Sequence, residues 1–133
     1  MRTMPSGEAL LDAARAARER AHAPYSGFAV GAAVETQDGS IVTGCNVENA
    51  SFGLSICAER VAVVRAVAEG HRVIRAIAIA GPPGIDAGPC GACRQFLAEF
   101  DPDMAVSFTM RDGIVNTTLS ELLPYAFTAN AFG

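Results

Sequence analysis

The chain has 133 residues, of which 50% are hydrophobic, so it is long and apolar enough to fold as one domain, residues 1–133, around its own core. Its formal net charge of −4 and its ten scattered basic residues, all arginine, argue against nucleic acid as a partner, because a phosphate backbone requires clustered cations. No stretch has the length of a signal peptide's apolar core or of a membrane span, which favours a cytoplasmic protein that does not bind a membrane.

The first half of the chain predicts one helix and one hairpin. Residues 6–22 carry apolar side chains at helical spacing after Ser6, a candidate N-cap, and Pro24 ends the pattern. Two β-like runs flank the turn signal QDG, residues 37–39. A turn signal between two such runs is typical of a β-hairpin.

The second half alternates between helices and strands. Residues 57–70 predict a largely buried helix that ends at Gly70, and the β-branched run 72–80 predicts a buried strand. A loop rich in Gly and Pro, a helix over residues 90–100, the strand MAVSFTM, the turn RDG, a weakly marked last strand and the short helix in LSELLPYAF follow. This order predicts an α/β fold in which helices cover a mixed sheet, with parallel strands joined by right-handed crossovers.

Three of the four cysteines lie at the starts of two predicted helices. Cys90 and Cys93, three residues apart, project from one face of a first helical turn, and Cys57 lies in the first turn of the other helix. Helix N-termini stabilise thiolates through their partial positive charge. Three protein ligands leave one tetrahedral position open, which is typical of a catalytic zinc site. We therefore expect one Zn²⁺ per chain.

Charged residues follow both cysteine positions. Glu59 is favoured at a helix start by the dipole alone, but beside an open metal position it is better explained as the general base that moves a proton from the attacking water to the leaving group. Arg60 and Arg94 have spacings that let each guanidinium reach back to the thiolates and withdraw negative charge. Arg60 is the stronger candidate for this role, and the alternative for both is an ordinary solvated side chain.

Cys45 is the remaining cysteine. On a strand, its side chain points to the face opposite Asn46, and a small buried thiol explains it without a metal. The alternative is a structural Cys₄ zinc site, completed by Cys45, in a protein that only binds a partner. Such sites usually contain two Cys-x-x-Cys pairs, and this chain has one.

The segments CAER and PCGACRQ, with Cys90 placed 33 residues after Cys57, closely resemble the small homotetrameric cytidine deaminases of the cytidine and deoxycytidylate deaminase family. APYSGFAVGAA, TGCNVENASFG and LLPYAF extend the resemblance over most of residues 8–127. The resemblance implies a three-layer α/β/α fold with a mixed five-stranded sheet. It also implies zinc-dependent hydrolysis of cytidine and 2′-deoxycytidine to uridine and 2′-deoxyuridine with release of ammonia, a step of pyrimidine salvage.

The resemblance implies roles for single residues as well. The zinc ligands would be Cys57, Cys90 and Cys93, Glu59 would shuttle protons, and the backbone around Ala58 and Cys90 would hold the pyrimidine.

The remaining matches concern substrate binding. Asn46 and Glu48 match the ribose-binding residues; two positions apart on a strand, they point to one face, and an amide with a carboxylate suits a vicinal diol. Phe28 matches the aromatic along the base or sugar. Phe127 matches the aromatic that a neighbouring subunit of the homotetramer inserts over the site, although its residue type alone favours core packing.

Two other aminohydrolase functions are compatible with the same fold. An enzyme similar to blasticidin S deaminase would keep the zinc and Glu59, but the segment NVENAS, with Asn46 and Glu48, favours a ribonucleoside. A polynucleotide deaminase is disfavoured because the acidic chain lacks a basic and aromatic groove for a single strand. Gly88 stands where many relatives have Ser, which leaves the tolerance for substituted pyrimidines open.

Overall fold

One five-stranded sheet forms the centre of the computed structural model, which describes residues 7–133. The strands are β1 (Gly31–Thr36), β2 (Ile41–Cys45), β3 (Ile74–Ala80), β4 (Ala105–Met110) and β5 (Gly113–Thr118). Their order across the sheet is β2-β1-β3-β4-β5. β3 and β4 are parallel, and the other neighbours are antiparallel. The predicted mixed sheet is therefore confirmed, with one parallel pair among the described residues.

Helices cover both faces of this sheet. The α-helices are α1 (Gly7–Ala17), α2 (Ala58–Ala68), α3 (Gly91–Ala98) and α4 (Leu119–Leu122), and short 3-10 helices span Arg18–Arg20, Phe52–Leu54 and Ala129–Phe132. α1 packs on one face, where its leucines meet Ala33 and Ala78. α2, α3 and α4 contribute to the core on the other face, which includes Val34 and Ile77. Alternate residues of β1 point to opposite faces, so both faces of this strand are buried.

The first helix is shorter than the sequence predicts. α1 ends at Ala17 and continues as the 3-10 turn Arg18–Arg20, whereas Ser6 lies outside the described residues. The helix lies directly against β1 at Gly31, where a Cβ atom would come within 2.0 Å of the carbonyl oxygen of Ala14. This backbone contact fixes the end of α1 against the sheet, and a side chain at position 31 would prevent it.

α2 lies equally close to the hairpin. A Cβ atom on Gly44 would lie 2.4 Å from the backbone nitrogen of Ala62 and 2.9 Å from the carbonyl oxygen of Ala58. The small side chains of α2, including the buried Ala62 and Ala66, permit this approach. The start of α2 is therefore fixed beside the end of β2.

The other predicted elements are confirmed with small changes of length. The hairpin closes through residues 37–40, the helix expected over 57–70 begins after Cys57, and the helix expected over 90–100 begins after Cys90. The weakly marked last strand is the full-length β5. Within residues 7–133, no helix is long and apolar enough to cross a membrane.

Candidate active site

Three cysteines meet where α2 and α3 begin. The Sγ atoms of Cys57, Cys90 and Cys93 all lie within 4.8 Å of one another, the one such grouping of potential metal ligands in the described part of the chain. Cys57 is the N-cap of α2 and Cys90 the N-cap of α3, and the backbone N–H of Cys93 points to the Sγ of Cys90 at 3.5 Å. Cys57 is half-buried, Cys90 is exposed and Cys93 is buried.

The chemistry of the three thiols fits a soft divalent cation. Hydrogen bonding with Cys93, then with Arg60, lowers the pKa of Cys57 to about 5. The same bond to Cys57, together with burial, raises the pKa of Cys93. Cys57 and Cys93 therefore share a proton, with Cys57 as the acceptor of the hydrogen bond. Zn²⁺ replaces such protons, and three thiolates form a ligand set that it commonly takes.

The two arginines that follow these cysteines have different partners. Nη2 of Arg60 lies 3.7 Å from the Sγ of Cys57, as the sequence predicts, and its charge favours the thiolate. Arg94 instead donates from Nε to the carbonyl oxygen of Pro89 at 2.8 Å and from Nη1 to that of Leu122 at 2.9 Å. Its guanidinium therefore binds backbone carbonyls, and the expectation that it reaches back to the thiolates is wrong.

A pocket of about 270 Å³ opens beside the cysteines. The residues predicted from the sequence that line it are Phe28, Asn46, Cys57, Ala58, Glu59 and Cys90. Cys57, Ala58, Glu59 and Cys90 lie at the starts of α2 and α3, and Asn46 directly follows the hairpin. The fold therefore brings distant parts of the chain to one cavity.

Glu59 is the buried carboxyl group of this pocket. Its side chain is 5% exposed and lies in the first turn of α2. Burial, then the negative charge of Cys57, raises its pKa. A carboxyl group with a raised pKa can both accept and donate a proton closer to neutral pH than an ordinary glutamate.

Asn46 fixes the edge of the pocket through its side-chain amide. Oδ1 accepts from the backbone N–H of Val30 at 2.9 Å, and Nδ2 donates to the carbonyl oxygen of Phe28 at 2.8 Å. Asn46 therefore holds the segment before β1, which carries Phe28, against the segment after β2. Both groups of the amide are engaged with backbone, which accounts for the burial of this polar residue.

The comparisons with known proteins agree with this geometry. The model of the cytidine and deoxycytidylate deaminase zinc-binding region matches residues 4–110. The chain belongs to this deaminase family. The prediction made from the cysteine motifs is thereby confirmed, and so is the expected fold, because solved cytidine deaminases share it.

Individual deaminases match three quarters or more of the chain. A cytidine deaminase of Halalkalibacterium halodurans is 49% identical over 122 residues, which cover 90% of this chain and 92% of the relative. The crystal structure of cytidine deaminase from Burkholderia pseudomallei has 50% identity and a TM-score of 0.85, over 90% of this chain and 98% of that one. A blasticidin-S deaminase of Bacillus cereus is 32% identical over 109 residues, covering 76% of this chain and 78% of the relative.

Two of the substrate-binding residues matched to the deaminase family, Glu48 and Phe127, lie outside the pocket lining. Glu48 lines a separate depression with Tyr25 and Ser26, and its carboxylate accepts hydrogen bonds from both backbone N–H groups at 3.0 and 3.1 Å and from the Ser26 hydroxyl. Phe127 is 63% exposed and packs edge-to-face on Phe132, so core packing is wrong for this residue.

Sequence reasoning singled out Gly88 but missed the rest of this pocket wall in the deaminase. Asp86, Ala87 and Gly88 line the pocket from the loop after β3, and Val30 and Ile79 complete it. The signal available in the sequence was positional: ligands of α/β folds bind at the carboxyl ends of parallel strands, and this loop follows such a strand. Cys45, at the end of β2, is not part of the three-thiol group.

Proposed function

We propose that the protein is a zinc-dependent hydrolase that deaminates cytidine and 2′-deoxycytidine to uridine and 2′-deoxyuridine, with release of ammonia. The observation that carries the proposal is the buried carboxyl of Glu59 in a pocket whose wall contains two cysteines of the three-thiol group. Relatives named cytidine deaminase, 43–49% identical to this chain, support the choice of substrate.

Each residue near the thiols has a distinct task. Cys57, Cys90 and Cys93 hold Zn²⁺, which supplies a Lewis acid that makes water nucleophilic near neutral pH. The carboxyl of Glu59 transfers both protons of the attacking water, one to N3 of the pyrimidine and the other to the departing amine, as a C4–O bond replaces the C4–N bond. The guanidinium of Arg60 offsets the negative charge of three thiolates through its contact with Cys57.

The pocket also supplies groups that hold the nucleoside. The side chain of Cys57 makes no capping hydrogen bond to the first turn of α2, so the backbone N–H groups near Ala58 are free of that partner and can bind the pyrimidine. Phe28 lies along the base or sugar. Asn46 and Glu48 bind the ribose hydroxyls. Asn46 does so through the second lone pair of Oδ1 and the second hydrogen of Nδ2, which its two backbone bonds do not use, whereas Glu48 must exchange hydrogen bonds within the turn it now holds.

The proposal extends to the assembly and its setting. Phe127 is exposed, as an aromatic that closes the pocket of a neighbouring subunit must be. We assign the protein as a cytoplasmic homotetramer that acts in pyrimidine salvage, with sites shared between subunits. Sedimentation of the zinc-loaded protein tests the tetramer independently of activity.

The test is conversion of cytidine by zinc-loaded protein, followed by absorbance, beside the Glu59→Gln variant. We expect the native protein to produce uridine and the variant to lose roughly 10²- to 10⁴-fold in kcat, with little change in KM, because Glu59 acts on charge that develops in the transition state. Glu8→Gln is the matched control, since Glu8 also lies in the first turn of a helix but on the exposed side of α1. It should retain full activity.

These measurements test the role of Glu59 and separate the two candidate substrates, cytidine and blasticidin S. Equal losses of affinity and turnover in Glu59→Gln would contradict a proton-transfer role. If the native protein holds one zinc per chain but converts neither cytidine nor 2′-deoxycytidine, the substrate assignment fails. Blasticidin S is then the substrate to test, because a blasticidin-S deaminase is among the relatives.

A further inference from the structure

One wall of the pocket is a loop with little internal structure. This wall loop, residues 81–88, joins β3 to the residues before α3 and places Asp86, Ala87 and Gly88 in the pocket lining. Three of its eight residues are Gly and two are Pro. Within the loop, the backbone N–H of Ile85 donates to the carbonyl oxygen of Pro82 at 3.2 Å. Because glycine is conformationally permissive, contacts outside the loop must fix its position.

Thr109 holds both ends of the wall loop. Its Oγ1 accepts a hydrogen bond from the backbone N–H of Gly81 at 3.0 Å, and its carbonyl oxygen accepts one from the N–H of Ala87 at 2.9 Å. The register explains why one residue can make both bonds. The pairing of β3 with β4 ends at Ile79 and Phe108, so Thr109 is the first residue of β4 beyond that pairing.

The two ends of the loop also touch each other and the pocket. A Cβ atom on Gly81 would lie 2.6 Å from the Cβ of Ala87 and 3.8 Å from Cζ of Phe28. Gly81 is therefore packed against two residues that line the pocket. A displacement of Gly81 from Thr109 would move Ala87, Phe28 or both.

A second external contact is weaker. The carboxylate of Asp86 accepts from the backbone N–H of Arg111 at 2.9 Å, and the Nε of Arg111 lies 3.9 Å from the other carboxylate oxygen. Both side chains are exposed, so this ion pair contributes little. The hydrogen bonds to Thr109 are better shielded, since Gly81 and Ala87 are buried. They are the main restraint on the loop.

We propose that Thr109 is a positioning residue for substrate binding: its hydroxyl holds the wall loop, which sets the fit of the pyrimidine. The proposal rests on the proposed function, because it takes the pocket to bind the nucleoside. The hydroxyl is the group to change, since every variant retains the carbonyl bond to Ala87. Without the hydroxyl, the buried N–H of Gly81 has lost its partner, and the loop shifts to find another.

The experiment compares Thr109→Val with Thr109→Ser in the zinc-loaded protein. Val keeps the shape and removes the acceptor, whereas Ser keeps the hydroxyl. We expect Val to raise KM for cytidine roughly tenfold with kcat nearly unchanged, because the wall contacts the ground state and the transition state alike. Ser should restore KM to within about twofold of the native value. Thr117→Val is the matched control, because Thr117 lies on β5 away from the pocket and its hydroxyl donates to the carboxylate of Glu121 in α4.

The outcomes separate positioning from a structural role. An unchanged KM in Thr109→Val, or a raised KM that Ser does not restore, overturns the proposal. The proposal is also overturned if Thr109→Val and Thr117→Val lower the thermal midpoint of unfolding alike and neither changes KM. If the native protein does not convert cytidine, the proposed function fails by itself, and amide exchange of Gly81 then decides the role of Thr109. Faster exchange in Val than in Ser supports it, and equal exchange overturns it.

Discussion

Arg94 donates from Nη1 to the carbonyl oxygen of Leu122, which lies 28 residues further along the chain, at 2.9 Å. Its Nε donates to the carbonyl oxygen of Pro89, and the neighbouring Gln95 donates from Nε2 to that of Phe127 at 2.7 Å. α3 therefore joins the residue before Cys90 to the C-terminal segment. The same helix that carries two thiols thus holds the segment proposed to reach a neighbouring subunit.

We expect Arg94→Gln to lower the free energy of unfolding by about 1.5–3 kcal/mol, the range for hydrogen bonds that involve a charged group. Zinc should also be lost to a chelator more readily, because the segment before Cys90 loses its partner. Urea unfolding and chelator competition measure the two effects. Arg72→Gln is the matched control, since Arg72 also donates to two carbonyls, of Val67 and His71, at the exposed end of α2. Equal losses in both variants would contradict a special role for Arg94.

The local signals in the sequence predicted most of the fold because they act within a few residues. The Asp38-Gly39 turn closes the hairpin, and the Cys90 to Cys93 spacing places two thiols on one helical turn. Arg94 shows where such reasoning stops. Helical spacing placed it within reach of the thiolates, but its partner Leu122 comes from a distant element, and no local pattern encodes that contact.

The pocket wall was harder to predict for the same reason. The Gly and Pro content of the wall loop predicted that residues 81–88 form a loop. The position of the loop depends on Thr109, which the parallel pairing of β3 and β4 brings near. Glu48 is a further case. The alternation of a strand predicted that it shares a face with Asn46, but β2 ends at Cys45, and a turn at Ser26 engages the carboxylate.

Gly44 is predicted to be essential for the position of α2. A methyl group there would meet the backbone of Ala62 and Ala58 at less than 3.0 Å, and backbone atoms cannot move without displacing the helix that begins after Cys57. We expect Gly44→Ala to lower the free energy of unfolding by roughly 3 kcal/mol, the upper part of the range for overpacking. Gly53→Ala is the control, because among the described residues no atom beyond Gly53 and its two chain neighbours lies within 4 Å of the position that the new methyl group would take. Equal stability of the two variants in urea would show that α2 tolerates displacement.

Cys45 is predicted to be dispensable for metal binding. Its thiol is absent from the group formed by Cys57, Cys90 and Cys93, and it lies at the end of β2 opposite Gly31. We expect Cys45→Ala to retain one zinc per chain after dialysis, whereas Cys93→Ala loses it, because two remaining thiols hold zinc weakly. Metal content and circular dichroism are measured together. Loss of zinc and fold in Cys45→Ala would instead support a structural Cys₄ site.

The turn that holds Glu48 is predicted to depend on pH. The hydrogen bond from the Ser26 hydroxyl, with those from the backbone N–H groups of Ser26 and Tyr25, lowers the pKa of Glu48 below its ordinary value of 4.5. A lowered pKa in the folded state means that the carboxylate stabilises the turn above pH 4.5 and that this contribution is lost as the pH falls through the lowered pKa. Ser26 also accepts from the N–H of Phe28 at 2.9 Å, so the loss reaches the pocket edge.

Titration of the amide resonances of Tyr25 and Ser26 by NMR measures this dependence. We expect a midpoint below pH 4.5 in the native protein and no such titration in Glu48→Gln. Ser26→Ala removes the largest cause of the shift, so its midpoint should move up towards 4.5. A native midpoint at or above 4.5 would mean that the turn does not hold the carboxylate in solution. Glu48 would then be free to bind a ribose hydroxyl without first releasing the turn.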